Sequence, residues 1–122
     1  MEPGLQATVE HTVTSEDTAS SLGSGDVDVL GTPKVVAMCE AAAVAAVAGE
    51  ELTVGVRIDL EHVAPTGIGQ KVTAHARLAA VDGRALTFEL EASDPAGVIA
   101  RGTHVRVIVD RVRFMASVRD RG

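Results

Sequence analysis

Along most of this chain apolar residues recur at every second position, and in one stretch they occupy nearly every position. In residues 5–14, LQATVEHTVT, Ala7, Val9, His11 and Val13 share one parity and Thr8, Glu10, Thr12 and Thr14 the other, which predicts a half-buried strand. Leu52, Val54, Val56, Ile58 and Leu60 alternate with Thr53, Gly55, Arg57, Asp59 and Glu61, and His62 continues the apolar parity. After the Pro- and Gly-containing loop PTGIG, Val72, Ala74, Ala76, Leu78 and Ala80 face inward, with Lys71, Thr73, His75 and Arg77 outward. Asp82-Gly83 predicts a hairpin. Leu86, Phe88, Leu90 and Ala92 continue the inward set beyond it, and Asp94-Pro95-Ala96-Gly97 makes the next turn. The last strand, Val98 to Val109, carries Val105, Val107 and Val109 on one face but sets Ile99 and Ile108 on opposite parities, a conflict that a bulge near Gly102 would resolve.

The stretch of different texture is Gly31–Glu51, GTPKVVAMCEAAAVAAVAGEE. Thr32 followed by Pro33 reads as a helix start, a hydroxyl cap before a residue preset for the first turn. From Val35 to Ala48 the one residue that is not Ala, Val, Met or Cys is Glu40, and Gly49 supplies a stop. A membrane span needs ~20 apolar residues, so this shorter, charged run is read as a buried helix whose alanines let strands approach closely. Residues 15–30, SEDTASSLGSGDVDVL, form a mobile loop leading into it, either a plain connector or a lid. The order of strand, loop, helix and four hairpin-linked strands predicts an α+β domain over residues 1–122: an antiparallel sheet of about five strands wrapped around one long central helix. One sheet leaves the outer face of that helix bare, and the simplest cover is a second copy, so a homodimer is expected.

Composition narrows the function. Two aromatic residues, Phe88 and Phe114, and a net charge of −6 provide neither stacking platforms nor a phosphate footprint for nucleic acid. The N-terminus lacks the basic and apolar regions of a secretory signal, giving the cytoplasm as the expected compartment and no membrane partner. Cys39 stands alone and is read as a small buried hydrophobe, and no His/Cys/carboxylate cluster has the spacing of a metal site.

Three residues carry candidate chemistry. A carboxylate inside an apolar helix costs several kcal/mol unless it is bonded or lines a cavity, so Glu40 is either a structural acid or a catalytic one. His62 is the ionisable group on the core parity of the strand that leaves the helix, and with Glu40 it forms a candidate acid–base pair. Thr32, read first as a cap, is the third, because the free N–H groups at a helix start can hold a developing oxyanion. His11 is read as structural and His75 as solvated.

The segments GTPKVVAMCEAA, HVAPTGIGQKVTAHARL, VDGR and GTHVRV resemble the hotdog-fold thioesterases, most closely the fluoroacetyl-CoA thioesterase-like branch. The resemblance extends over nearly the whole chain. It implies a hotdog fold, a dimer or tetramer, and hydrolysis of small or medium acyl-CoA thioesters with no cofactor beyond the coenzyme A of the substrate and no metal. It places catalytic Thr, Glu and His at Thr32, Glu40 and His62, the glutamate acting as general base or as nucleophile. Gly31, Pro33, Gly67 and Arg106 are the expected substrate contacts, Arg106 toward a CoA phosphate or simply as a solvated strand charge. One departure stands out: the fluoroacetyl-specific enzyme has a phenylalanine-bearing lid before its helix, whereas residues 15–31 here hold no aromatic, which implies a different substrate. The alternative reading is a non-catalytic hotdog module that binds acyl-CoA or another small apolar ligand.

Overall fold

In the computed structural model, which describes residues 1–122, the alternating segments become strands β1 (Gln6–Thr12), β2 (Thr53–His62), β3 (Lys71–Asp82), β4 (Ala85–Asp94) and β5 (Gly97–Ile108). They pair antiparallel throughout in the order β1-β3-β4-β5-β2, so the first strand and the strand after the helix form the two edges. The β3–β4 connection is a two-residue loop, Gly83-Arg84, between the paired Asp82 and Ala85. Gly83 takes the first loop position at φ 60°, which a side chain would disfavour. The sheet curves around α2 (Thr32–Ala46), which packs chiefly on β1 and β3. Val35, Cys39, Ala42 and Ala43 of the helix and Val72, Ala74, Ala76, Leu78, Leu86 and Phe88 of the strands are wholly buried. Burial of each large aliphatic among them contributes about 1.5–3 kcal/mol. The small alanines on both surfaces are what bring helix and sheet backbones close.

The helix differs from its sequence reading at both ends and on one side. Gly31, extended at φ −79° and ψ 144°, is the N-cap, with Thr32 and Pro33 as the first helical residues, so Thr32 does not cap. A Cβ on Gly31 would stand 3.1 Å from the backbone of Ala19, in the short helix α1 (Ala19–Leu22) that crosses over it, so glycine is the residue that fits. The last turn ends at Val47 and the chain reverses through Gly49 at φ 83°. Within one chain the helix is also not buried all round: Ala37, Ala41, Val44 and Ala45 are exposed in a stripe beside the half-buried Val36 and Glu40.

The segment before α2 is more structured than a mobile connector. It holds a 3-10 turn at Ser15–Asp17 and α1, and bridges Thr18 to Leu30 and Val29 to Gly67. Asp17, 7% exposed, anchors it by accepting from Thr14 N at 2.8 Å, from the Thr14 hydroxyl at 3.0 Å and from His11 Nε2 at 2.7 Å, with Lys34 Nζ at 3.6 Å. Burial by itself would raise this carboxyl, but those donors outweigh it and hold it at about 2.

The last strand bulges as its parity conflict requires, but at Ile99 and not at Gly102, and β2 and β3 bulge as well. Gly102 is paired without interruption to Leu60 and Leu90. A side chain there would collide with the Asp59 carbonyl, so this glycine serves close strand approach. The extra residues are Ile99 in β5, Ala79 in β3, which leaves Ala80 exposed, and Val56 in β2. The bulge at Val56 reverses the parity of β2: Thr53 is buried, Val56 is 58% exposed, and Ile58, Leu60 and His62 face inward beyond it. A C-terminal helix, α3 (Arg111–Asp120), follows β5, its first turn capped by Asp110, which accepts from Arg113 N. No helix is long and apolar enough to cross a membrane.

Candidate active site

At the mouth of α2 the Thr32 hydroxyl lies 2.8 Å from His62 Nδ1. Two different devices bring them together. Thr32 is fixed by the Gly31 cap, and His62 by the last ladder position of β2, opposite Ala100. Burial pushes the His62 imidazole below its ordinary range, opposed by the backbone of Ala64, so the ring is neutral at pH 7. Its Nε2 is buried and has no partner. The pair opens on a cleft of about 290 Å³ whose other walls are mostly aliphatic, among them Ala19, Val27, Val29, Leu30 and Val63, with Ser24 as a polar exception. No side chain caps this helix start: Pro33 has no N–H, Lys34 N and Val35 N donate to the Gly31 carbonyl, and the Thr32 N–H is the one left over beside this cleft.

Glu40 lies two turns further along α2, about 12 Å of helix rise from Thr32. Within one chain its side chain is 41% exposed, on the bare face of the helix that the sequence reading assigns to a second copy. Its Oε2 is 3.4 Å from Arg106 Nη1 and 4.0 Å from His104 Nε2. No hydrogen bond joins Glu40 to His62, so the expected acid–base pair is replaced by two clusters, Thr32–His62 and Glu40–Arg106–His104. Gly55 makes room for the second: a Cβ there would stand 2.8 Å from Glu40 Oε2, 3.1 Å from His104 Cε1 and 3.2 Å from Arg106 Nη1. The bulge at Val56 is what turns Gly55 and Thr53 toward the helix.

Arg106 requires a correction. It is not an outward strand charge, since its side chain is only 7% exposed, and Nε and Nη2 are committed to the hydroxyl (2.9 Å) and carbonyl (3.1 Å) of Thr53. Four of its five N–H donors are thus engaged beside Glu40, and the buried side chain does not extend outward as a strand charge. Burial lowers its pKa, while the Glu40 charge and hydrogen bond oppose the shift. Of the other expected contacts, Gly31 is the helix cap, Gly67 is held in the bridge to Val29, and Pro33 is exposed on the first turn; none lines the cleft beside Thr32. His104, 2% exposed, was missed. The available signal was its alternation with Arg106, but the valines at 105, 107 and 109 marked the opposite face as the inner one. Cys39 is buried, which raises its thiol to about 11 with help from the Glu40 charge, and it is inert as read.

A family model described as fluoroacetyl-CoA-specific thioesterase, FlK, matches residues 13–112. The chain belongs to this family. As a member of the FlK family it is a thioester hydrolase, which sets aside the non-catalytic module. The fluoroacetyl-CoA thioesterase of Streptantibioticus cattleyicolor is 35% identical over 98 residues, 77% of this chain and 70% of that protein. A solved structure of the fluoroacetyl-CoA thioesterase FlK superposes at a TM-score of 0.93 with 30% identity, covering 100% of this chain and 98% of the other. A hot-dog-like protein from Thermanaerovibrio acidaminovorans follows at 0.89 and 25%, over 99% and 93%. The fold is therefore the hotdog expected from the sequence.

Proposed function

We propose that this enzyme hydrolyses short- to medium-chain acyl-CoA thioesters, with Thr32 and His62 at the thioester and Glu40 as base or nucleophile, its side chain leaning back along α2 to recover part of the rise of about 12 Å. The observation that carries this reading is the Thr32–His62 hydrogen bond at an uncapped helix start, on the wall of an aliphatic cleft. The Thr32 N–H there, with Pro33 lacking one and Lys34 and Val35 bonded to Gly31, suits the carbonyl oxygen as it takes on negative charge. In the base route Glu40 takes a proton from water as the water oxygen bonds to the carbonyl carbon. In the nucleophile route its oxygen bonds to that carbon first, and water cleaves the resulting anhydride. Both expel the CoA thiolate and release the acid.

Glu40 shares the bare α2 face with Ala37, Ala41 and Val44, so a second chain laid on that face would enclose it. We therefore propose a homodimer with the site beside its interface, in the cytoplasm where acyl-CoA is made and used. The aliphatic walls suit hydrocarbon acyl groups, and residues 15–31 offer no aromatic gate for the fluoroacetyl group. The test is thiol release from a panel running from acetyl-CoA and fluoroacetyl-CoA to octanoyl-CoA. Turnover of the hydrocarbon members is expected. Release from none of them, or from fluoroacetyl-CoA alone, would overturn the proposal.

A further inference from the structure

The network beneath Glu40 contains a group that the hydrolysis described above leaves without a task. His104 Nδ1 is 2.7 Å from the carbonyl oxygen of Arg57, which can only accept, so Nδ1 carries the proton and Nε2 presents a lone pair. That lone pair lies 3.1 Å from Arg106 Nη1, and the guanidinium can only donate. One Nη1 hydrogen thus goes to His104 and the other points to Glu40 Oε2 at 3.4 Å, while Nε and Nη2 go to Thr53. We infer that His104 is a positioning residue: as a neutral acceptor it fixes the Arg106 guanidinium so that the remaining Nη1–H holds the Glu40 carboxylate in place for reaction. The inference rests on the proposed role of Glu40.

Three features distinguish this from a histidine that merely fills space. The imidazole sits between Phe88 of β4, whose ring centroid is 6.3 Å away, and the Arg106 side chain on its own strand, so it has one orientation. The groups facing it are Glu40 from α2, the Arg57 carbonyl from β2 and Arg106 from β5, and a protonated ring would set an N–H against the Arg106 N–H. Burial, seconded by the Arg106 charge, keeps the ring neutral against the Arg57 carbonyl and Glu40. Without His104, the freed Nη1–H would be an unsatisfied donor, and the guanidinium would turn to regain a partner, carrying the carboxylate with it. Misplacement of a reacting group by about 1 Å costs on the order of 10²-fold in rate.

The test compares His104→Leu, His104→Gln and Glu40→Gln in kcat and KM on the best acyl-CoA of the panel, with each fold checked by circular dichroism. Leucine removes the acceptor, whereas glutamine presents a neutral amide oxygen near the position of Nε2. The expected result is that His104→Leu lowers kcat about 10–100-fold at nearly unchanged KM, that His104→Gln recovers most of that loss, and that Glu40→Gln loses on the order of 10²–10⁴-fold. If Glu40→Gln shows that loss but His104→Leu turns over like the parent, the inference alone is overturned. If leucine and glutamine are equally slow, the acceptor is irrelevant and the inference is likewise overturned. Turnover by Glu40→Gln at the parent rate removes both the inference and the role of Glu40. Should His104→Leu not fold, a His104→Gln variant that folds decides the matter: near-parent kcat supports the acceptor role, and a 10–100-fold loss overturns it.

Discussion

The Thr32 hydroxyl and His62 Nδ1, 2.8 Å apart, tie the first turn of the central helix to the end of the strand that follows it. Since Gly31 and not Thr32 caps the helix, this hydroxyl is free to serve the histidine. Thr32→Ala should therefore leave the melting temperature nearly unchanged and reduce kcat/KM about tenfold, the worth of one hydrogen bond. Thr32→Ser should restore the rate. A drop of several degrees in melting temperature with full activity would return Thr32 to a capping role.

Glu40→Gln preserves size and hydrogen bonding to Arg106 while removing basicity and nucleophilicity. The expected loss of turnover is on the order of 10²–10⁴-fold with folding retained. Near-parent rates on the acyl-CoA panel would refute a catalytic Glu40.

That much of the site was legible in the sequence because each residue breaks a pattern: Glu40 interrupts an apolar helix, His62 sits on an apolar parity, and Thr-Pro marks a helix start. The five strands and their turns were equally plain, since Asp82-Gly83 and Asp94 to Gly97 punctuate steady alternation. The second cluster was hidden for a physical reason. Bulges at Val56 and Ile99 shift which parity faces the helix; the one in β2 leaves no mark in its alternation, and the parity conflict in β5 signals a bulge without fixing its position. Once the parity of β2 and β5 was misassigned, Thr53, His104 and Arg106 fell on the solvent side. Helix α3 was not foreseen: it buries no residue within one chain, and its apolar side chains Val112, Phe114, Met115 and Val118 all lie exposed.

Stability should fall in two pH windows. His62 and His104 have folded pKa values below the ordinary 6.5, so the unfolded chain binds their protons first and the fold loses stability as pH drops below that value. Asp17, held at about 2 against 3.8, contributes stability above 3.8 that disappears as pH falls toward 2. Asp17→Asn should cost roughly 1–2 kcal/mol at pH 7, because the amide keeps a hydrogen-bond acceptor and loses only the charge. Urea titrations of both proteins from pH 7 to pH 2 should show the gap closing below about pH 4; a gap independent of pH would mean that the Asp17 charge contributes nothing.

Fluoroacetyl-CoA should have no privileged standing. With aliphatic side chains and no aromatic in residues 15–31, its kcat/KM should lie within about tenfold of that for acetyl-CoA, a difference of about 1.4 kcal/mol. Competition between the two substrates measures this directly, and a preference of several orders of magnitude would contradict it.

Val44, 47% exposed on the bare α2 face, tests the dimer. Small-angle scattering should give twice the chain mass for the parent and a shift toward monomer for Val44→Lys, which places a charge in an apolar contact. A parent that is monomeric at micromolar concentration removes the proposal.

The extra residue in β2 also bears on which lengths of this strand the fold can accept. In an unbroken ladder of the present length, Val54 and Val56 would turn toward the helix, and Thr53, with both of its acceptors for Arg106, would turn away. Deleting Val56 outright would instead leave Thr53 and Gly55 on the faces they now occupy, because the strand would then alternate without interruption from Thr53 to His62. A one-residue deletion is thus the milder change and register slippage the harsher one, so length variation at this position is compatible with an intact site whereas straightening the strand is not.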